Sequence, residues 1–317
     1  MKNFKRIIAI ALVLMLALCT LAGCGETKKT IGIIQFGSHA SLNNCYDGII
    51  KGLEEAGINL EEYNVERLDS NFDASVSQTQ ANNLVNKKAE VIIAIATPSA
   101  VAAANAADGD IPVVYCAVTD PTTMENYENM TGASDIPNFE KQLEVVTAFM
   151  GKNDLKIGVL YSSEESSSPV QVANLQEAAK KYQGMEICDS IVADINTIDT
   201  KVNELINRKV DCFINLLDNT VVGKLETNIL PLTNDAKIPV FGSEIEQVKV
   251  GCAASASIEY IDVGRAAGAS AAKILGGSAA DDIPVATITE PDNYYNSKVC
   301  TALGLTVPTT VTATDVA

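Results

Sequence analysis

The segment IGIIQF, from Ile31 to Phe36, is apolar at nearly every position. A parallel strand covered on both faces reads this way, whereas a strand with one wet face would alternate. Behind it Leu42, Cys45, Ile49, Leu53 and Ala56 recur at helical spacing, and Gly57 is placed to end that helix. Tyr63 to Leu68 alternates as a second strand, Ala74 to Asn86 has helical spacing, and VIIAIA from Val91 to Ala96 is a third strand. A helix over Pro98 to Ala107 and a strand over Pro112 to Val118 follow. Strands and helices alternating through short links predict an α/β fold with a doubly wound parallel sheet.

The pattern then starts again. Ile157-Gly158-Val159-Leu160 has the form of Ile31-Gly32-Ile33-Ile34, and the stretch from Val210 to Thr220 has the shape of that from Ala89 to Ser99. Ile238-Pro239-Val240 matches Ile111-Pro112-Val113. Two similar α/β lobes in tandem are therefore expected. A third Ile-Pro-Val, Ile283 to Val285, comes after a helix spanning Tyr260 to Leu275, which predicts that the chain crosses back between lobes before it ends. The Thr-rich stretch after Pro308 is expected to fray.

The N-terminus follows another rule. Lys2, Lys5 and Arg6 precede an apolar run from Ile7 to Leu18, the layout of a secretory signal, and the run is shorter than the roughly 20 residues a spanning helix needs. It closes on Leu21-Ala22-Gly23-Cys24, which resembles the bacterial lipobox. Residues 1–23 are thus read as a signal peptide, Cys24 as a lipidated mature N-terminus, and 24–30 as a polar tether. Six cysteines remain. Cys116, Cys212 and Cys252 lie inside apolar runs, where cysteine behaves as a small hydrophobe, and free thiols are favoured over disulfides for Cys45, Cys188 and Cys300 as well.

Composition narrows the function. Of 317 residues 47% are hydrophobic and 20% charged, an ordinary globular balance with chain enough for two domains. There are 23 Lys and Arg against 40 Asp and Glu, a net charge of −17 that becomes −20 once the signal's three positive charges leave. Such a surface repels phosphate backbones, so nucleic acid is not an expected partner. One histidine and no tryptophan leave few residues for hydrolase or metal chemistry. Neither GxGxxG after the first strand, nor GxxxxGK[ST], nor GxSxG occurs, and His39 has no second ligand at metal spacing. No cofactor, metal or catalytic residue is expected.

Ligands on open α/β sheets collect at the carboxyl ends of strands. In lobe one Thr97 precedes Pro98 at a helix start, whose free N–H groups, with the hydroxyls of Thr97, Ser99 and Thr119, suit a carboxylate. Asp218 stands at the equivalent point of lobe two and suits an ammonium, so a free amino acid would bridge the pair. Thr97 also reads as a plain helix cap, and Asp218 and Asn219 as the start of their own helix. His39 can line the cleft or take a surface or cap role; Phe36, Tyr161 and Tyr260 can stack on a ligand or belong to core or rim.

Taken in order, IGIIQFGSHASLNNCYDGIIKGLEEAG, EVIIAIATPSA, IPVVYCAVTDP, TGASD, KIGVLYSSEESSS, DNTV, KIPVFGSE and NSKVCTALGLTVP resemble the substrate-binding lipoproteins of ABC transporters in the tryptophan/tyrosine-binding group, from Thr30 to about Pro308. The resemblance implies a type I periplasmic-binding fold, two lobes joined by a three-strand hinge, and delivery of an amino acid, often aromatic, to an ABC permease. The expected lobes are 30–135 with 256–287 and 136–255 with 288–317. By motif the ligand role falls on Gln35, Phe36, His39, Thr97, Ser99, Thr119, Asp120, Ser134 and Asp135, and across the cleft on Ser163, Glu164, Asp218, Asn219, Ser243 and Glu244, with Tyr260. Ala40 after His39, and the acidic Ser163-Glu164-Glu165-Ser166 loop, depart from the usual pattern and leave the ligand's side chain open. The expected protein is a monomer tethered outside the cytoplasm at Cys24, binding without chemistry. Its rivals are a receptor of the same fold for a nucleoside, sugar or other solute, and a surface hydrolase using a serine between Ser162 and Ser168.

Overall fold

The computed structural model describes residues 28–163, 165–288 and 291–317. Cys24 and Glu164 lie outside them. The first body follows the predicted alternation: β1 (Lys29–Gln35), α1 (Ala40–Glu55), β2 (Tyr63–Asp69), α2 (Ala74–Asn86), β3 (Val91–Ile95), α3 (Thr97–Ala107), β4 (Val113–Cys116) and β5 (Met130–Ser134). The second contains α4 (Phe139–Met150), β6 (Lys156–Ser162), α5 (Ser168–Ala179), β7 (Glu186–Val192), α6 (Ile198–Asn207), β8 (Cys212–Asn215), α7 (Asn219–Val222), α8 (Leu230–Asp235), β9 (Val240–Phe241), α9 (Ile245–Val250) and β10 (Ala254–Ser257). The chain closes with α10 (Tyr260–Leu275), β11 (Ala286–Thr287), β12 (Asp292–Tyr295), α11 (Ser297–Leu303) and β13 (Thr314–Asp315).

The first sheet runs β11-β5-β4-β3-β1-β2 and the second β7-β6-β8-β9, all parallel. β1 and β3 are buried on both faces, as their unbroken apolar runs require, with Ile31 and Ile33 facing one layer and Ile34 the other. The order reverses beside β1 and beside β6, and such switch points open a crevice at the carboxyl ends. The chain passes between the bodies three times, after β5, after β10 and after β11, because α10 and β11 join the first core and sheet while β12 pairs with β10. The third Ile-Pro-Val thus marks a return, as predicted. The tail differs from expectation: Thr314–Asp315 adds a parallel strand to Tyr294–Tyr295.

α1 and α10 cross in backbone contact. Gly48 and Gly52 on α1 meet Gly264 and Gly268 on α10, and a Cβ at Gly264 would lie 2.1 Å from the Cys45 carbonyl oxygen. A side chain at any of these would push the helices apart. The crossing therefore fixes the start of α1 relative to Tyr260 at the start of α10. The cysteines Cys45, Cys116, Cys188, Cys212, Cys252 and Cys300 are buried free thiols.

Candidate functional site

Where the carboxyl ends of the two sheets face each other, a cavity with ≈ 310 Å³ of empty space lies between the bodies. The first body lines it with His39, Ser41, Leu42, Ala117, Thr119, Asp135 and Tyr260; the second with Leu217, Asn219, Val222, Glu244 and Gln247. No Lys or Arg is among these residues. A groove of ≈ 770 Å³ shares His39, Ser41, Val222, Glu244 and Gln247 with it, and a further groove of ≈ 1010 Å³ shares Phe72 and Gly223 with that one. A larger open groove, ≈ 1400 Å³ between Ile136–Glu140 and α5, lies elsewhere; none of the buried unpartnered polar atoms belongs to its lining.

Asp135 follows β5 and is 3% exposed. Its Oδ2 accepts the Tyr260 hydroxyl at 2.6 Å, while its Oδ1 has no partner among the described residues. Burial raises its pKa, and the Tyr260 and Thr119 hydroxyls oppose that rise. A buried carboxylate oxygen without a donor costs about 1–3 kcal/mol, which a ligand donor would recover.

His39 is the N-cap of α1 but gives it no side-chain cap, so the first-turn N–H groups of Ser41 and Leu42 are left at the cavity wall. Its Nε2 lies 3.2 Å from Asn219 Oδ1 across the cleft. Loss of solvent lowers its pKa to about 4, the Asn219 bond opposing, so the ring is neutral. Since an amide oxygen can only accept, Nε2 carries the proton and Nδ1, which has no partner among the described residues, is a bare acceptor. Asn44 Nδ2 also donates to Glu246 Oε1 at 3.0 Å, a second bond that holds the cleft shut.

Asp218 and Glu244 of the second body accept bonds from its own backbone, whereas Glu165 Oε2 has no partner among the described residues. Asp218, fully buried, caps α7: Oδ1 accepts Val221 N–H at 3.0 Å, and Oδ2 accepts Ser162 N–H and the Ser168 hydroxyl, each at 2.7 Å. Glu244 caps α9 through Gln247 N–H at 2.9 Å and Glu246 N–H at 2.7 Å, and burial pushes its pKa up to about 7. Glu165, 1% exposed, accepts Asn219 N–H at 3.1 Å; burial, then the Asp218 charge, push it up to about 8.

Of the residues expected from the sequence, His39, Thr119, Asp135, Asn219, Glu244 and Tyr260 meet at the cavity. The other described ones do not line it. Gln35 binds Gly37 O, Asn43 and Arg67; Phe36 is core; Ser99 pairs with Ser77 behind α3; Thr97 is buried at the start of α3. Asp120 caps a short turn at Thr122, Ser134 is buried on β5, and Ser163 is exposed. Ser243 is tied to Asn215 O and Gln142. Asp218 therefore bonds within its own lobe and lies off the cavity lining, where the acid of the first lobe is Asp135, and the helix start at the cavity wall is that of α1 rather than of α3. Phe72 was missed. It sits in the left-handed region (φ 61°) with Asn71 (φ 51°), stacks on His39 at 6.2 Å, and meets Phe36 edge-on at 5.8 Å. No glycine marks that turn in the sequence; the nearest signal is Gly37, where a Cβ would strike the Phe72 ring.

Comparison with known proteins places this geometry. The family model described as ABC transporter substrate binding protein matches residues 30–316. A tyrosine-binding protein of Clostridioides difficile is 32% identical over 325 residues, covering 95% of this chain and 93% of the relative. A Streptococcus pneumoniae structure in complex with L-Trp is 32% identical with a TM-score of 0.84, over 90% of this chain and 97% of that one. The ligand-free, open structure of a substrate-binding protein with adhesive properties from Clostridium difficile is 31% identical over 90% and 99%, yet its TM-score is 0.67. At nearly equal identity the chain superposes better on the Trp complex than on the open form, which agrees with the bonds from His39 and Asn44 across the cleft.

Proposed function

This chain belongs to the ABC transporter substrate binding protein family, and on that premise we propose that it is a receptor for an aromatic amino acid, held between the lobes and passed to a permease. The moving parts are 30–135 with 256–287 and 136–255 with 288–317, rotating about the three crossings. Cys24 is the lipid anchor on the extracytoplasmic face, and the monomer binds without catalysing. The carrying observation is the unpartnered, buried Oδ1 of Asp135 in a cavity that also receives the uncapped start of α1. An ammonium on Asp135 and a carboxylate on the N–H groups of Ser41 and Leu42, with Thr119 beside them, satisfy both ends of a zwitterion. The C. difficile and S. pneumoniae relatives, named for tyrosine and crystallised with L-Trp, supply the aromatic part of the reading.

Calorimetry of the mature chain against a panel of amino acids tests this. Tyrosine or tryptophan should bind, and Asp135→Ala should weaken binding by roughly a hundredfold, the cost of an ammonium left without its buried partner. Unchanged affinity in Asp135→Ala would overturn the assignment.

A further inference from the structure

The cavity lining holds two buried atoms without partners among the described residues, and both are acceptors: Asp135 Oδ1 and His39 Nδ1. Either could take an ammonium, but the choice is constrained. An ammonium set against the imidazole would leave the carboxylate oxygen unpaired, which costs more than leaving a neutral ring nitrogen unpaired. Asp135 therefore takes the ammonium, and His39 Nδ1 remains an acceptor that asks for a different donor. We propose that His39 reads a hydrogen-bond donor on the ligand's aromatic ring, a phenol O–H or an indole N–H, and so selects against phenylalanine. This rests on the amino-acid reading above.

The surroundings of His39 support it. Its ring cannot turn freely: Nε2 is bonded to Asn219 across the cleft, and the Phe72 ring lies parallel to it, 7° between planes. Asn219 is itself held by Glu165 through its N–H. The tautomer is thus set from the second lobe, and the free lone pair of Nδ1 is set with it. Phe72 and Gly223 border the adjoining grooves, where a Cβ on Gly223 would approach the Phe72 ring to 3.6 Å. Leu42, Ala117, Leu217 and Val222 supply apolar lining beside His39 Nδ1, which matches a ring bearing one donor. No Lys or Arg in the cavity lining competes for Nδ1; the titratable acids there are Asp135 and Glu244, the imidazole is neutral, and Lys224 lines only the ≈ 1010 Å³ groove.

The experiment compares ratios, because losing the Asn219 bond weakens closure on every ligand alike. Affinities of L-tyrosine, L-tryptophan, their O-methyl and 1-methyl derivatives, and L-phenylalanine are measured for the natural chain, His39→Leu and His39→Asn. Tyrosine or tryptophan should bind at least about tenfold tighter than phenylalanine and than its own methylated form. His39→Leu should bring that ratio to about one, and His39→Asn, whose Oδ1 takes the place of Nδ1, should restore part of it. Equal affinity of the natural chain for phenylalanine, or a ratio that survives His39→Leu, overturns the proposal while leaving the amino-acid reading intact. Binding of none of the aromatic amino acids overturns both.

Discussion

The two lobes carry similar sheets, yet they present different chemistry to the cleft. In the first, the carboxyl ends of β2, β3 and β4 each lead into non-glycine residues in the left-handed region: Asn71 and Phe72, Ala96 (φ 78°) and Ala117 (φ 56°). In the second, the left-handed non-glycine residues among those described are Lys209 and Lys237, which follow helices at the opposite ends of the strands, where such a conformation is routine. At the cavity itself the polar groups divide in the same sense. Asp135 and His39 of the first lobe keep an unpaired acceptor there, while Glu244 of the second accepts bonds from its own backbone, and the second lobe's unpartnered atoms, Gln142 Oε1, Glu165 Oε2 and Thr220 Oγ1, belong to residues off the cavity lining. Strain and unsatisfied groups persist only where something else compensates for them. Under the proposed function the first lobe holds the ligand and the second covers it.

That contrast is broken most severely at Asp218. If its carboxylate serves only its own lobe, Asp218→Ala should destabilise the fold by about 3 kcal/mol, because Val221 N–H, Ser162 N–H and the Ser168 hydroxyl lose their acceptor together. Affinity measured at a temperature where the variant is folded should fall far less than in Asp135→Ala. Thermal melting and calorimetry on the two variants give the comparison directly; a stable Asp218→Ala protein that has lost its ligand would reverse the roles assigned to the lobes.

The next effect is a pH dependence. Glu165 titrates near 8 in the folded chain against an ordinary 4.5, so the unfolded chain ionises first as pH rises. Stability from this group is fully present below about pH 4.5 and is lost as pH approaches 8. Glu244, at about 7, acts in the same sense. His39, lowered from 6.5 to about 4, has the opposite sign: its neutral burial stabilises above 6.5, and that contribution is lost as pH falls toward 4. Glu165→Gln keeps an acceptor for Asn219 N–H and removes one titration. The melting temperature of the natural chain should fall by several degrees between pH 5 and pH 8, and the variant should show a visibly shallower slope. Parallel slopes would mean that Glu165 ionises without cost.

Much of this division was hidden in the sequence, for physical reasons. Strands such as IGIIQF and VIIAIA are legible because burial on both faces demands unbroken apolar residues. β5, Met-Thr-Gly-Ala-Ser, carries no such signal, yet it is mostly buried, with Thr131 donating to Ile283 O, a partner 152 residues away. The site was legible as positions rather than as contacts. Strand ends pointed to Thr119 and Asn219, and only the family resemblance of Thr-Gly-Ala-Ser-Asp pointed to Asp135, but an acid after a strand can face the cleft or cap the helix that follows. Asp135 and Asp218 look alike in sequence and do opposite things because Val221 N–H comes within reach of only one. Phe72 was illegible because its place depends on a left-handed backbone with no glycine to announce it.

The smallest effect tests whether strain in the first lobe has a use. Ala117 lines the cavity at φ 56°, a conformation that costs a non-glycine residue about 1–2 kcal/mol, and its N–H is fixed to Ala133 O at 2.9 Å. Ala117→Gly removes that cost but gives the unfolded chain about 0.5–1 kcal/mol of extra entropy. The net gain in stability should be about 0.5 kcal/mol, read as a slightly higher melting temperature. If the turn is strained in order to hold Thr119 beside Asp135, the looser backbone should also lower affinity, by about twofold, despite the gain in stability. The equivalent turn of the second lobe has no left-handed residue to relieve, so a stability gain coupled to a binding loss at Ala117 marks the first lobe as the one whose shape is held ready before the ligand arrives.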